Sequence, residues 1–193
     1  MSRQVLLPGA DFAGLTDFLC RADARALLEN SHAIAGIIPE LAPMLGFDQH
    51  SPHHAYDLYT HTALVTAAVP PEPVLRWAAL LHDVGKLATF TRDETGRGHF
   101  KGHAQAGAVS AEAILRRLGA PEPLCSQAAN LIFHHMTRLE ADEKALSLLS
   151  REEVCRLIHL QEADMASKGI EENADLSQFA RLRAMLGVCQ KGG

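Results

Sequence analysis

A His-Asp pair near the middle of the chain offers two adjacent side chains that can bind a metal ion. His82 and Asp83 follow the apolar run 74–81 and precede Gly85 and Lys86. A carboxylate at the end of an apolar helical segment needs a cation or hydrogen-bond donors, because a buried charge without a partner is costly. Imidazole and carboxylate together suit borderline divalent metals such as Zn, Fe, Mn, Co and Ni. The simpler alternative is a helix end that Asp83 and Gly85 only terminate.

More metal-capable residues flank this pair at intervals, on five predicted elements in all. Helices of a bundle commonly project such ligands into one shared cavity. Consecutive helical residues point about 100° apart, so the neighbours His134 and His135 cannot both bind one ion in the same way. We favour His134 as the ligand and place His135 beside it, as a supporting or phosphate-contacting group. The predicted metal ligands are therefore His61, His82, Asp83, His103, His134 and Asp164, and Asp83 can bridge two ions through its two oxygens.

Cationic side chains close to these positions could contact a phosphate. Lys86 follows Asp83 by about one helical turn and can offer an ammonium to a phosphoryl oxygen, so we predict a catalytic and substrate-binding role for it beside catalytic Asp83. Arg138 could make a bidentate phosphate contact, and His99, in a polar segment, could close over a phosphate. The alternatives are a lysine that complements a helix dipole and a solvated surface arginine.

Two further residues are predicted to support the ligands. Asp57 stands four residues before His61, so both could share one helix face, where Asp57 would orient the imidazole. The alternative is an acid that favours the dipole of a helix N-terminus. His54 lies in a loop just before the site, where histidines mostly face solvent.

Helical periodicity dominates the chain, since alanine and leucine are abundant and aromatic residues make up only 5%. The polar, glycine-bearing segment 89–102 is predicted to be a short hairpin or a loop beside the site. We predict a single all-α domain, 1–193, with a helical N-terminal region (residues 1–50) packed on a metal-binding core (residues 51–168) and a C-terminal helix (residues 175–188). Helices are predicted over 11–19, 22–30, 31–45, 57–67, 72–81, 103–118, 122–136, 151–167 and 177–186.

Charge and composition limit the possible partners. A net charge of −5 leaves no large basic surface to hold a nucleic-acid duplex. No apolar run reaches membrane-spanning length, so we expect no membrane partner and a cytoplasmic location. The four cysteines lack paired spacing and are predicted to be free thiols of a reducing compartment. The sequence does not determine the oligomeric state, and a homodimer is one possibility.

The ordered set His61, His82-Asp83 and Asp164 resembles the H…HD…D pattern of the HD superfamily of metal-dependent phosphohydrolases. Longer blocks resemble the HD region of bacterial tRNA nucleotidyltransferases, the CCA-adding enzymes. They are IIPELAPMLGFDQHSPHHAYDLYTHT, LRWAALLHDVGKLATFT, GRGHFKGHAQAGA and FHHMTR, and together they span most of the chain. This resemblance implies an HD-domain helical bundle. A nucleotidyltransferase head, with its Gly-Gly turn and paired acidic ligands, has no counterpart in these residues, so we do not expect CCA addition itself.

The resemblance implies a phosphodiesterase or phosphatase that acts on a nucleotide or other small phosphoester through metal-activated water. It also implies one or two divalent ions (Mn, Fe, Ni, Co, Zn or Mg), two where the intervening histidines His103 and His134 are present. Two alternatives stay open. One is a di-iron HD-type oxygenase with the same ligands, and the other is a non-catalytic regulatory or partner module of tRNA processing, in which the metal is structural.

Overall fold

A computed structural model describes residues 11–52, 54–139, 147–169 and 176–187 of the chain. Four short helical segments come first: α1 (Phe12–Arg21), α2 (Ala24–Glu29), α3 (Ser31–Ile37) and a 3₁₀ helix (Pro39–Met44). Asp11 and Asp23 cap α1 and α2, since each side chain accepts a hydrogen bond from a backbone N–H of the first turn. The single helix predicted over 31–45 is divided, because the residue before Pro39 is held out of the helical region.

The centre of the fold consists of longer helices that pack side by side. They are α4 (Leu58–Ala68), α5 (Pro73–Leu81), α7 (His103–Arg117), α8 (Glu122–His134), α9 (Arg151–Ala166) and α10 (Ser177–Leu186). Helix α5 contacts α1, α4 and α8, while α7 lies along α8. From Leu75 to Leu81 every residue of α5 is buried, so the His-Asp pair that follows lies in the interior.

A short connection joins α5 to α7 above this core. It contains the one-turn helix α6 (Lys86–Thr89) and the strands β1 (Thr91–Arg92) and β2 (Gly98–His99). The strands are antiparallel, with Thr91 opposite His99 and Arg92 opposite Gly98. The segment 89–102 therefore contains a hairpin, one of the two predicted forms.

The predicted all-α class is confirmed, since the only described strands are the two of this hairpin. The division at 1–50, 51–168 and 175–188 stays a prediction, and residues 1–10, 175 and 188 lie outside the described residues. Within the described ranges, the helices are too short or too polar to cross a membrane. Cys20 and Cys125 are free thiols. Cys155 is disulfide-bonded, which corrects the prediction of free thiols, because spacing along the chain does not determine proximity in space.

Candidate metal centre

The turn between α5 and α6 places the His-Asp pair against the start of α7. A Cβ at Gly85 would collide with the carbonyl oxygen of His103 and the amide nitrogen of Gly107. Because glycine has no Cβ, the backbone of the turn can approach the backbone of α7 this closely. His82 and Asp83 are consequently only 1% and 2% exposed.

Asp83 lies at the junction of two groups of potential ligands. One group is His61, His82 and Asp83, the other is Asp83, His103 and His135, and within each group the ligand atoms lie within 4.8 Å of one another. Asp83 Oδ2 is 3.2 Å from His82 Nε2, and Oδ1 is 3.5 Å from His103 Nε2. The two carboxylate oxygens thus face different histidine groups. This is the arrangement needed for a carboxylate that serves two ions.

The four histidines of these groups share one orientation. In each ring Nδ1 lies within hydrogen-bond distance of a backbone carbonyl oxygen, so Nε2 is the nitrogen that is directed towards the carboxylate. Such a carbonyl contact fixes the ring and its tautomer in metal sites. The pairs are His61 with Ser167 at 3.2 Å, His82 with Ala79 at 2.7 Å, His103 with Phe100 at 2.8 Å, and His135 with Ile132 at 2.7 Å.

Several of the inward-facing polar atoms make close contacts without a hydrogen bond of normal geometry. Among the described residues this is true of His61 Nε2, His82 Nε2 and Asp83 Oδ2, although Asp83 Oδ2 forms an ion pair with Lys86 and His61 Nε2 lies 3.1 Å from Asp164 Oδ1. Buried polar atoms are normally satisfied, so an unsatisfied group calls for an explanation such as a bound ion. A divalent cation coordinated by these atoms would satisfy all three. The residues present therefore fit a metal ion.

The charges at the centre also suit a cation. Burial alone raises the pKa of the Asp83 carboxyl, but His82 and Lys86 outweigh it and hold that pKa well below its usual range. Burial and the neighbouring His82 lower the pKa of His135 to about 4. At neutral pH this gives an ionised carboxylate and a neutral imidazole, which are the forms that bind metal ions.

The structure places His135, and not the predicted His134, beside the other ligand-type side chains of the centre. His135 Nε2 lies 3.1 Å from His103 Nε2 and 4.0 Å from Asp83 Oδ1. His134 is half-buried, packs edge-on against Phe133 and lies 3.3 Å from the hydroxyl of Thr137. The other predicted ligands converge as expected, since Asp164 Oδ1 lies 3.1 Å from His61 Nε2.

Asp57 does not orient His61, contrary to prediction. It caps α4 instead, because its side chain accepts hydrogen bonds from the backbone N–H groups of Tyr59 and Thr60 at 3.1 Å. The carbonyl oxygen of Ser167 takes the expected place beside the imidazole of His61. The alternative that we considered, an acid at a helix N-terminus, is therefore the better description of Asp57.

A cavity of about 250 Å³ opens onto the centre. Lys86 extends into it, with Nζ 2.8 Å from Asp83 Oδ2 and 2.7 Å from Gln49 Oε1. His54 also lines the cavity, and burial together with Lys86 lowers the pKa of its ring to about 3. The remaining lining residues are Ser51, Asp83, Gly98, His99, Phe100, His103, His135, Met136, Asp164 and Lys168.

Sequence reasoning missed Gln49 and Lys168. Lys168 follows Asp164 by four residues, one helical turn, and that spacing was a usable signal. Gln49 is 1% exposed and gave no signal, because its role depends on the contact with Lys86. Arg138 is exposed and lines a neighbouring cavity of about 510 Å³ that shares His135 with the first.

Comparison with known proteins gives consistent matches. Residues 40–173 match the family model described as HD domain. The chain is 35% identical over 186 residues to the A-adding tRNA nucleotidyltransferase of Deinococcus radiodurans, covering 86% of this chain and 43% of that protein. It is 37% identical over 158 residues to the CC-adding tRNA nucleotidyltransferase of Thermus thermophilus, covering 77% of this chain and 36% of that protein. The multifunctional CCA protein of Halorhodospira halophila is 31% identical over 179 residues, covering 85% of this chain and 42% of that protein. The chain thus spans less than half the length of these relatives.

Proposed function

Because this chain belongs to the HD domain family, we propose that it is a metal-dependent phosphohydrolase that acts on a nucleotide or another small phosphoester. One observation carries the proposal: two histidine groups share the buried carboxylate of Asp83 beside a cavity that two lysines, Lys86 and Lys168, also line. Histidine and carboxylate ligands suit a divalent ion, and ammonium groups suit a phosphoryl anion.

The ligand set would hold one ion between His61, His82, Asp83 and Asp164 and a second between Asp83, His103 and His135. Such ions would supply hydroxide at neutral pH and balance the charge of the phosphoryl oxygens. The carbonyl contacts to Nδ1 keep the four rings in place, so little reorganisation is needed when the substrate binds.

Lys86 would bind a phosphoryl oxygen. Its ammonium is held between Asp83 and Gln49, and it is only 6% exposed. The side chain also lines the cavity, where its ammonium can pair with a phosphoryl oxygen. The cavity of about 250 Å³ is small compared with the roughly 300–1,000 Å³ of typical ligand pockets, which favours a small phosphoester.

The test is a screen of protein reconstituted separately with Mn, Fe, Ni, Co, Zn or Mg, against nucleotides and generic phosphoesters. We expect Asp83→Ala to abolish hydrolysis and His135→Ala to reduce it strongly, while His134→Ala retains most of it. Phosphoester turnover that survives Asp83→Ala unchanged would overturn the proposal. Oxygen consumption by the iron form without any phosphoester hydrolysis would also overturn it and would favour the oxygenase alternative.

A further inference from the structure

The hairpin places His99 beside the cavity. It packs against Gln49, the residue whose side chain accepts a hydrogen bond from Lys86. The amide of Gly98 donates a hydrogen bond to the carbonyl oxygen of His50 at 2.9 Å. A Cβ at Gly98 would collide with the carbonyl oxygen of Gln49. His99 follows directly in β2 and lines the cavity together with Asp83 and Lys86. Its backbone therefore has a defined place relative to the reacting groups.

Asp93, in the turn of the same hairpin, fixes the ring of His99. Its Oδ2 lies 2.7 Å from His99 Nε2, while Oδ1 accepts hydrogen bonds from the Thr95 hydroxyl at 2.6 Å and the Arg97 amide at 3.1 Å. Hydrogen bonds from Thr95 and His99 lower the pKa of the Asp93 carboxyl. A carboxylate can only accept, so Nε2 of His99 carries a hydrogen. The other ring nitrogen, Nδ1, has no hydrogen-bond partner among the described residues.

We propose that His99, positioned by Asp93, is the general acid that protonates the leaving oxygen of the substrate. The inference rests on the proposed phosphohydrolase function. In the step, a water-derived oxygen forms a bond to phosphorus while the bond from phosphorus to the leaving oxygen breaks. The electron pair of that bond stays on the leaving oxygen, and the proton on His99 Nδ1 moves to it. His99 then regains a proton from solvent, and the net reaction consumes one water.

The other imidazoles of the cavity cannot do this. His103 and His135 have Nδ1 bound to backbone carbonyl oxygens and Nε2 directed at Asp83. The ring of His54 packs edge-on against the ring of His61, and its Nδ1 is buried. The cavity also contains ammonium groups, but lysine ordinarily releases its proton only well above neutral pH, whereas histidine does so near neutral pH. His99 is left as the imidazole that a carboxylate orients and whose second nitrogen can meet a substrate.

The test is how strongly the loss of kcat in a variant depends on the leaving group of the ester. An alkyl alcohol leaves poorly without a proton, whereas 4-nitrophenolate leaves readily without one. With the metal-loaded full chain, His99→Ala should lower kcat for an alkyl phosphoester about 10²- to 10⁴-fold and change kcat for the 4-nitrophenyl ester far less. Asp93→Asn should show the same selectivity with a smaller loss. Thr95→Val is the matched control, because it removes another contact of Asp93 and leaves the His99 contact in place.

Two readouts separate this role from a structural one. Metal content should be unchanged in all three variants. At a pH high enough for the His99 ring to be neutral, long-range ¹H–¹⁵N spectra should give the Nε2–H tautomer in the wild type and in Thr95→Val, because Asp93 accepts from Nε2 and leaves Nδ1 to gain and release the transferred proton. The same spectra should give a mixture of tautomers in Asp93→Asn. Equal losses on both esters, or no loss, would overturn the general-acid role while the hydrolase function stands. A wild type that cleaves neither ester nor any other phosphoester would overturn both.

Discussion

Replacing Asp83 by asparagine should destabilise the metal-free protein, because it leaves a buried ammonium without its counter-charge. Lys86 is 6% exposed, and its Nζ lies 2.8 Å from Asp83 Oδ2. Removing one partner of a buried ion pair costs roughly 3–5 kcal/mol. The contact between Lys86 and Gln49 Oε1 at 2.7 Å survives the change, so we expect the lower end, about 3 kcal/mol. For a domain of this size about 1 kcal/mol corresponds to roughly 2–4 °C, so Tm should fall by about 6–12 °C.

The assay is denaturant and thermal unfolding in excess chelator, so that metal binding does not contribute. Asp83→Asn combined with Lys86→Met removes both charges and should recover most of the lost stability, since a paired deletion leaves no isolated charge. Asp17→Asn is the surface control, because the ion pair of Asp17 with Arg21 is largely exposed and contributes little. If Asp83→Asn unfolds like the wild type, or if the double variant is no more stable than the single one, the reasoning is wrong.

Three further outcomes are expected. Adding a divalent metal at about 100 times its Kd should stabilise the wild type by roughly 2.7 kcal/mol, which raises Tm by about 5–11 °C. Calorimetry with and without chelator measures the shift, and an unchanged Tm would argue against the metal centre. Gly85→Ala should lower both stability and metal affinity, because its Cβ meets the backbone of His103 and Gly107, whereas Gly36→Ala, with open space around it, should fold normally. Lys86→Ala should raise KM or lower kcat and weaken inhibition by inorganic phosphate while metal content stays unchanged; loss of metal in this variant would contradict the assigned role.

Residue types along the chain were sufficient to predict the kind of site. The apolar stretch of α5 ends at His82 and Asp83, and such a carboxylate can be buried only with a partner. His61, His103 and Asp164 lie on separate helical segments. His61 and His103 approach that carboxylate to 3.7 and 3.5 Å, and Asp164 lies 3.1 Å from His61. The helical class followed from periodicity and composition, which are properties of local sequence.

Tertiary structure decided which of two neighbouring side chains faces the centre. His134 and His135 differ by one step of about 100° around the helix, and the sequence contains no information on how the end of α8 is rotated against α5 and α7. The packing of those helices turns His135 inward, to 3.1 Å from His103. The capping role of Asp57 likewise depends on where α4 begins, and that boundary is set to within a residue only by the folded backbone.

Contacts between residues that lie far apart in the sequence could not be predicted from the sequence either. Gln49 holds Lys86 across 37 residues, and the carbonyl oxygen of Ser167 contacts His61 across 106. A hydrogen bond to a backbone carbonyl depends on position alone, because every residue type has that group. The sequence by itself therefore determined which side chains have the chemistry to bind a metal ion. The packing of the helices determined which of them meet, which ring nitrogen each histidine presents and which residues keep the rings in place.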